Sequence, residues 1–299
     1  MKIRIVSDLH VDVNNTMDFG FLKDKQDLLI IAGDTAGSCR KEKEFYSILS
    51  KNNIKTIAVG GNHLGYDYYK IRQVNKLFDI DMPLQETKEY CIKELKNNKD
   101  CTFLENNYVE FNNIIIYGGT MYSDFLLYGK NQRNNCKKTA ERWLNDFRYV
   151  TTYDKNQKLV RPVTADDYEK WFKTFKRNLN KCIKETNKDI IIVSHFAPSI
   201  NSIEEKYLNR ENRFGSPGSE LNAVYAVNLE DFIKQNPRIK VYTHGHVHSN
   251  HDYHIGQCRV VCNPYGYFGY ETTLESKDYF GKQLELDIDS QGQITGIHG

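Results

Sequence analysis

Short runs of β-branched and aliphatic residues recur along the chain: Ile3 to Val6, Leu28 to Ala32, Thr56 to Val59, Ile114 to Tyr117, Ile190 to Val193 and Lys240 to Tyr242. Runs of this length and composition read as buried strands. Between them, apolar residues return at three- to four-residue spacing, as in Tyr68, Ile71, Val74, Leu77 and Phe78, or Tyr90, Cys91 and Leu95, which predicts helices. The clearest helix starts at Thr164, an N-cap followed by Asp166 and Asp167, and carries Tyr168, Trp171, Phe172, Phe175, Leu179 and Ile183 on one face. Alternating strands and helices indicate a layered α/β domain. We expect one domain over residues 1–299, with a mostly helical insertion near 120–185, where strand signals thin out. The Asn/Lys-rich stretches at 96–100 and 130–138 read as surface loops.

Charge changes this picture little. The predicted helix also bears Lys170, Lys173, Lys176, Arg177, Lys181 and Lys184, and basic residues interleaved with aromatics are a nucleic-acid signal. Here the aromatics hold core spacing and the basic residues fill the remaining arc, so a solvated face over a packed one is the better reading. The formal net charge of +2 neither demands nor excludes nucleic acid. No apolar run reaches the twenty or so residues that a membrane-spanning helix needs. The opening Lys2-Ile3-Arg4-Ile5-Val6 has no secretory-signal character, so a cytoplasmic location is expected. Seven cysteines, at 39, 91, 101, 136, 182, 258 and 262, lack paired spacing and read as reduced thiols without a role.

The most informative polar residues sit just past the ends of the strands. Asp8-Leu9-His10 comes after Ile3 to Val6, Gly33-Asp34 after Leu28 to Ala32, and Gly61-Asn62-His63 after Thr56 to Val59. Ser194-His195 comes after Ile190 to Val193, and Thr243-His244-Gly245-His246-Val247-His248 after Lys240 to Tyr242. In sheets with parallel strands the carboxyl ends gather on one rim, where α/β proteins place ligand sites, so these clusters are expected to converge. If the segments stay extended, Asp8 and His10 face one way, as do His246 and His248. Each piece is weak alone, since Gly-Asp is a common turn and a lone buried histidine is usually structural. In fixed order after successive strands they are specific.

D-x-H at Asp8 and His10, G-D at Gly33 and Asp34, G-N-H at 61–63, His195, and G-H-x-H at 245–248 resemble the calcineurin-like metallophosphoesterase family, over residues 3 to about 270. The resemblance implies a four-layer α/β fold: a two-sheet β-sandwich flanked by helices, with a dinuclear metal site at the strand ends. It implies that Asp8, His10, Asp34 and His248 hold one divalent ion and that Asp34, Asn62, His195 and His246 hold the other, with Asp34 bridging. A carboxylate can span ions roughly 3.5 to 4 Å apart, and the hydroxide bridging them is the nucleophile the resemblance implies. Two divalent ions against the carboxylates of Asp8 and Asp34 leave a positive surplus, which suits an anionic phosphoester. By the same resemblance His63 protonates the leaving oxygen or, with Asn62, contacts the substrate phosphate. Mixed nitrogen and oxygen donors favour manganese, iron, zinc or cobalt, with manganese the expected metal for activity.

The chain departs from the family in places. Thr35-Ala36-Gly37-Ser38 comes after Asp34 without the Asp-Arg-Gly extension of the Ser/Thr protein phosphatase branch, and Leu64 stands where many members carry an acid. The segments 119–125, Leu144-Asn145-Asp146-Phe147-Arg148 and 263–267 resemble a small bacterial and phage phosphoesterase subgroup. Arg148 and Tyr122 are candidate phosphate contacts set against salt bridging and core packing, and Tyr265, Tyr267 and Tyr270 are candidates for stacking a nucleobase set against strand-edge packing. His244 is read as an outer-shell donor, and His251 and His254 as exposed loop histidines. The expected activity is hydrolysis of a small, nucleotide-like phosphomonoester or phosphodiester. A nuclease acting on RNA or DNA ends is the alternative within the enzymes, and a non-catalytic scaffold of the same fold the alternative outside them.

Overall fold

The computed structural model describes residues 1–14, 26–66, 87–156, 158–213, 215–267 and 283–299. The helix predicted through Tyr68 and Phe78, and Tyr270, lie outside them. Strands β1 (Lys2–Val6), β2 (Leu28–Ile31), β3 (Thr56–Val59) and β4 (Thr102–Leu104) run parallel in one sheet. A second sheet is built on β5 (Asn107–Phe111), β6 (Ile114–Gly119), β9 (Ile190–Ser194), β10 (Ile239–His244), β11 (His251–Ile255) and β12 (Cys258–Cys262); the hairpin β7 (Thr151–Asp154) and β8 (Leu159–Pro162) lies between β6 and β9 in the chain and stays separate. Strands β13 (Gln283–Ile288) and β14 (Ile294–His298) return to the first sheet and extend it beyond β1 as an antiparallel edge. The orders are β14-β13-β1-β2-β3-β4 and β11-β12-β10-β9-β6-β5.

The wholly apolar strands are explained by what covers them, because a strand buried on both faces carries no polar alternation. Ile3, Ile5, Leu28 and Ile30 of the first sheet join Ile114, Ile116, Ile191 and Val193 of the second in one buried cluster between the sheets. The intervening Leu29, Ile31 and Ala58 turn outward onto Phe45, Tyr46 and Leu49 of helix α1 (Cys39–Lys51) and Leu95 of α2 (Lys88–Lys96). On the far side, Ile115, Tyr117, Ile190 and Ile192 meet the aromatic face of a long helix that comes after β8. Helix, sheet, sheet and helix therefore form the layered sandwich.

Between β6 and β9 the chain forms α3 (Arg133–Trp143), α4 (Asp146–Tyr149), the β7–β8 hairpin and α5 (Ala165–Glu185). Thr164 caps α5 in a capping box with Asp167. Tyr168, Phe172, Phe175, Leu179 and Ile183 are buried, whereas Lys170, Lys173, Arg177, Lys181 and Lys184 are exposed. Tyr122 is buried against Tyr168, Trp171 and Phe196. His251 and His254, expected in a loop, instead lie in β11, paired with Cys262 and Arg259. The turn after the last site histidine is too short to have been separated from a strand by composition. All seven cysteines are free. Among the described residues no helix is long and apolar enough to cross a membrane.

Candidate metal centre

The polar clusters leave the carboxyl ends of β1, β2, β3, β9 and β10, and backbone bonds lock them together. The Asp8 N–H donates to the Gly33 carbonyl at 3.0 Å, the His10 N–H to that of Asp34 at 3.1 Å, and the Gly245 N–H to that of His195 at 3.0 Å. The His246 N–H donates to both carboxylate oxygens of Asp8 at 3.1 Å, which ties the rim of the second sheet to that of the first. Glycine allows this closeness, because a Cβ on Gly61 would strike the Asp34 carboxylate and one on Gly33, itself at φ +92°, the His195 ring.

The extended alternation expected for D-x-H and H-x-H is corrected by the structure. Asp8, His10, Asp34, His246 and His248 all have left-handed backbones, with φ of 52°, 43°, 50°, 71° and 50°. Non-glycine residues in this region cost on the order of 1–3 kcal/mol each and collect at functional sites. Tight turns, not strand pleats, aim these side chains.

Two groups of acceptor atoms result. In one, His195 Nε2 lies 2.9 Å from Asn62 Oδ1 and 3.2 Å from Asp34 Oδ2. The His195 Nδ1 lies 3.0 Å from the Ala32 carbonyl, which takes its N–H and leaves Nε2 as the nitrogen turned towards the two oxygens. In the other, His10 Nε2 and His248 Nε2 are 3.3 Å apart and His248 Nε2 is 3.2 Å from Asp8 Oδ1. Such clusters of acceptors repel unless a proton or a metal cation sits among them. Asp8 and Asp34 are 0% and 1% exposed, and among the described residues their ionic partners are all histidines. The buried His246 Nε2 has no hydrogen-bond partner among the described residues, and its ring lies 5.0 Å from that of His195. Asp8, His10 and His248, and separately Asp8, Asp34 and His195, place donor atoms within 4.8 Å of one another and could hold metal ions. The residues fit divalent ions of the mixed N/O type.

Protonation reflects the same crowding. Burial pushes Asp8 up, but His248 and then His195 outweigh it and hold the carboxyl well below its usual range. Burial likewise opposes ionisation of Asp34, and His195 and His63 overcome it. Burial holds His10 down to about 3 and His246 well below the usual imidazole range, which keeps both neutral, as ligands must be. Burial also disfavours the His195 imidazolium, yet Asp34 and then Asp8 raise it to about 9, so a proton takes the place that a metal ion would compete for.

His63 stands at the mouth of this centre. Its Nε2 is 3.9 Å from Asp34 Oδ2 and 3.1 Å from the Tyr267 hydroxyl, and its ring stacks on Tyr66 at 4.0 Å between centroids. Tyr267 also stacks on His10 at 4.5 Å, which brings one of the candidate stacking tyrosines into the site, whereas Tyr265 packs against the core cluster under α1. A cleft of about 510 Å³ opens here, lined by His63, His246 and His248 and also by Trp143, Tyr207 and Leu221. Arg148 is not among its lining residues; it is exposed and donates to the Arg142 carbonyl at 3.0 Å. A helix of one turn carries it outward while Asp146, two residues earlier, turns inward. His244 is buried and bonded to Ser202 Oγ at 2.8 Å and to the Gly245 carbonyl at 2.9 Å, a brace behind the H-x-H turn. Strand-end logic had no means of finding Asp146 or Tyr225, which stacks on His246 at 4.6 Å, because they come from other helices; Tyr66 ends the turn that carries Asn62 and His63 but belongs to no strand-end motif.

Two facing sheets whose strand ends present buried carboxylates, imidazoles and an amide oxygen define a metallohydrolase. The model of the calcineurin-like phosphoesterase family matches residues 1–250, and the chain belongs to that family, as a metal-dependent phosphoesterase. It is 25% identical over 303 residues to an uncharacterised protein of Acanthamoeba polyphaga mimivirus, covering 96% of each. A phosphopantetheinyl hydrolase from Mycobacterium tuberculosis has the same fold, with a TM-score of 0.59 and 15% identity over 90% of this chain and 93% of that one. A putative 5'-nucleotidase from Staphylococcus aureus aligns at a TM-score of 0.48 and 13% identity, over 99% of this chain and 52% of that one.

Proposed function

We propose that this protein hydrolyses a small organic phosphoester, nucleotide-like in size, with two divalent ions. Asp8, His10, Asp34 and His248 hold one ion; Asp34, Asn62, His195 and His246 hold the other. The observation that carries this reading is the convergence of His195 Nε2, Asn62 Oδ1 and Asp34 Oδ2, beside the similar His10, His248 and Asp8 group. When bound, the ions supply an activated water and neutralise charge on the phosphate oxygens.

The chain's own groups do the rest. Asp34 and Asp8 bring negative charge that two ions exceed, which leaves the site attractive to an anion. His63 has one ring nitrogen directed at the cleft and bonded to Tyr267, so a proton on Nε2 can be passed to a departing alkoxide; together with Asn62 it also faces the incoming phosphate. The cleft volume of about 510 Å³ falls in the range of small-molecule sites, roughly 300–1,000 Å³, and exceeds what a bare phosphate fills. Trp143, Tyr207 and Leu221 offer apolar surface for the organic part of the ester.

Purified protein given manganese and assayed on bis(p-nitrophenyl) phosphate, p-nitrophenyl phosphate and a panel of nucleotides, cyclic nucleotides and short oligonucleotides tests this reading. Nitrophenol release that a chelator abolishes and manganese restores is expected, and the ratio of the two chromogenic rates assigns diester or monoester preference. Preference for oligonucleotide ends would point to a nuclease. Protein that binds manganese yet cleaves none of these esters would contradict the proposal.

A further inference from the structure

Asp146 opens α4 and is wholly buried, yet among the described residues no lysine or arginine pairs with it. Its carboxylate instead collects donors from separate elements. Asn62 Nδ2 donates to Oδ1 at 2.9 Å, the Tyr66 hydroxyl donates to the same oxygen, and the Tyr168 hydroxyl of α5 donates to Oδ2 at 2.6 Å. A side-chain amide has two chemically distinct ends, and which end faces a cation decides whether it can be a ligand at all. By taking the N–H₂ end, Asp146 leaves Asn62 Oδ1 directed at His195 Nε2, 2.9 Å away. Without that acceptor, the amide is free to rotate and turn its N–H₂ end, which cannot ligate a cation, towards the ion's place.

We propose that Asp146 is a positioning residue for metal binding: it fixes the amide of Asn62 so that the oxygen faces the second ion. The proposal rests on the two-ion reading above. Burial raises the hydroxyls of Tyr66 and Tyr168 well above their usual range, which keeps both as donors to the carboxylate. Tyr168 anchors it to the core of α5, while Tyr66 carries the ring that stacks on His63. Loss of an outer partner of a metal ligand weakens metal affinity by about 10–100-fold. A partner that acts through one ligand should lose its effect once that ligand is gone.

Manganese titration by calorimetry, on metal-stripped protein whose folding is checked by circular dichroism, tests this in a cycle of Asp146→Ala and Asn62→Ala. Wild type is expected to bind two ions; failure there would overturn the two-ion reading itself. With wild type binding two, Asp146→Ala is expected to weaken one ion by about 10–100-fold and leave the other unchanged. In the Asn62→Ala background the same change is expected to cost less than about threefold. Unchanged affinity in the first background, or equal losses in both, would overturn the positioning role. Should Asp146→Ala not fold, Asp146→Leu takes its place, because leucine fills a similar space and offers the Asn62 amide no acceptor; the same background-dependent pattern is expected, and its absence is equally decisive.

Discussion

Asp34→Asn is expected to lower kcat/KM on the preferred nitrophenyl ester by roughly a thousandfold or more and to leave fewer than two manganese ions bound. Asp34 stands between both acceptor groups, 3.2 Å from His195 Nε2 and within the cluster that contains His10 and His63. Asparagine keeps the shape but removes a full negative charge and turns one oxygen into a donor. Metal polarisation supplies several kcal/mol of transition-state stabilisation, and each ~1.4 kcal/mol is a factor of ten in rate. Steady-state kinetics with metal analysis on the same sample reads both effects. A variant that retained wild-type turnover with two ions would remove Asp34 from the shared position.

His63→Ala is expected to slow esters with alkyl leaving groups by about 10²–10⁴-fold and to spare p-nitrophenyl esters by comparison. An alkoxide needs a proton as it departs, whereas nitrophenolate leaves without one. His63 is suited to deliver it because its Nε2 is held 3.1 Å from the Tyr267 hydroxyl and its side chain is 18% exposed, open to the cleft. Comparing kcat for an alkyl and a nitrophenyl ester of the same phosphate class makes the measurement. Equal losses on both would mean that His63 contacts the phosphate and does not donate the proton.

The central strands were legible because burial on both faces leaves an uninterrupted apolar run, as in Leu28 to Ile31 or Ile190 to Ser194. Strands away from the middle of the sheets were not. Gln283–Ile288 alternates buried and exposed positions with acidic residues outward, and Thr102–Leu104 is only three residues long, so neither resembles a buried run. The polar residues at the strand ends were legible in order and type, and the structure brings Asp8, His10, Asp34, His63, His195 and His248 into shared donor groups. Their backbone was not legible: residues expected to alternate along extended chain lie in left-handed turns, a conformation stabilised by long-range bonds such as His246 N–H to Asp8. Asp146 was visible only as part of an unexplained segment, because its meaning depends on Asn62, 84 residues earlier, meeting it in space.

The proposed metal centre depends on acceptor atoms from five strand ends being gathered around a pair of cations. Crystals grown with manganese and measured at the manganese absorption edge test this most directly. Two anomalous peaks are expected beside Asp34, one towards His10 and His248 and one towards Asn62 and His195. A fully ordered site with no peak, or with ions bound only elsewhere on the protein, would contradict it.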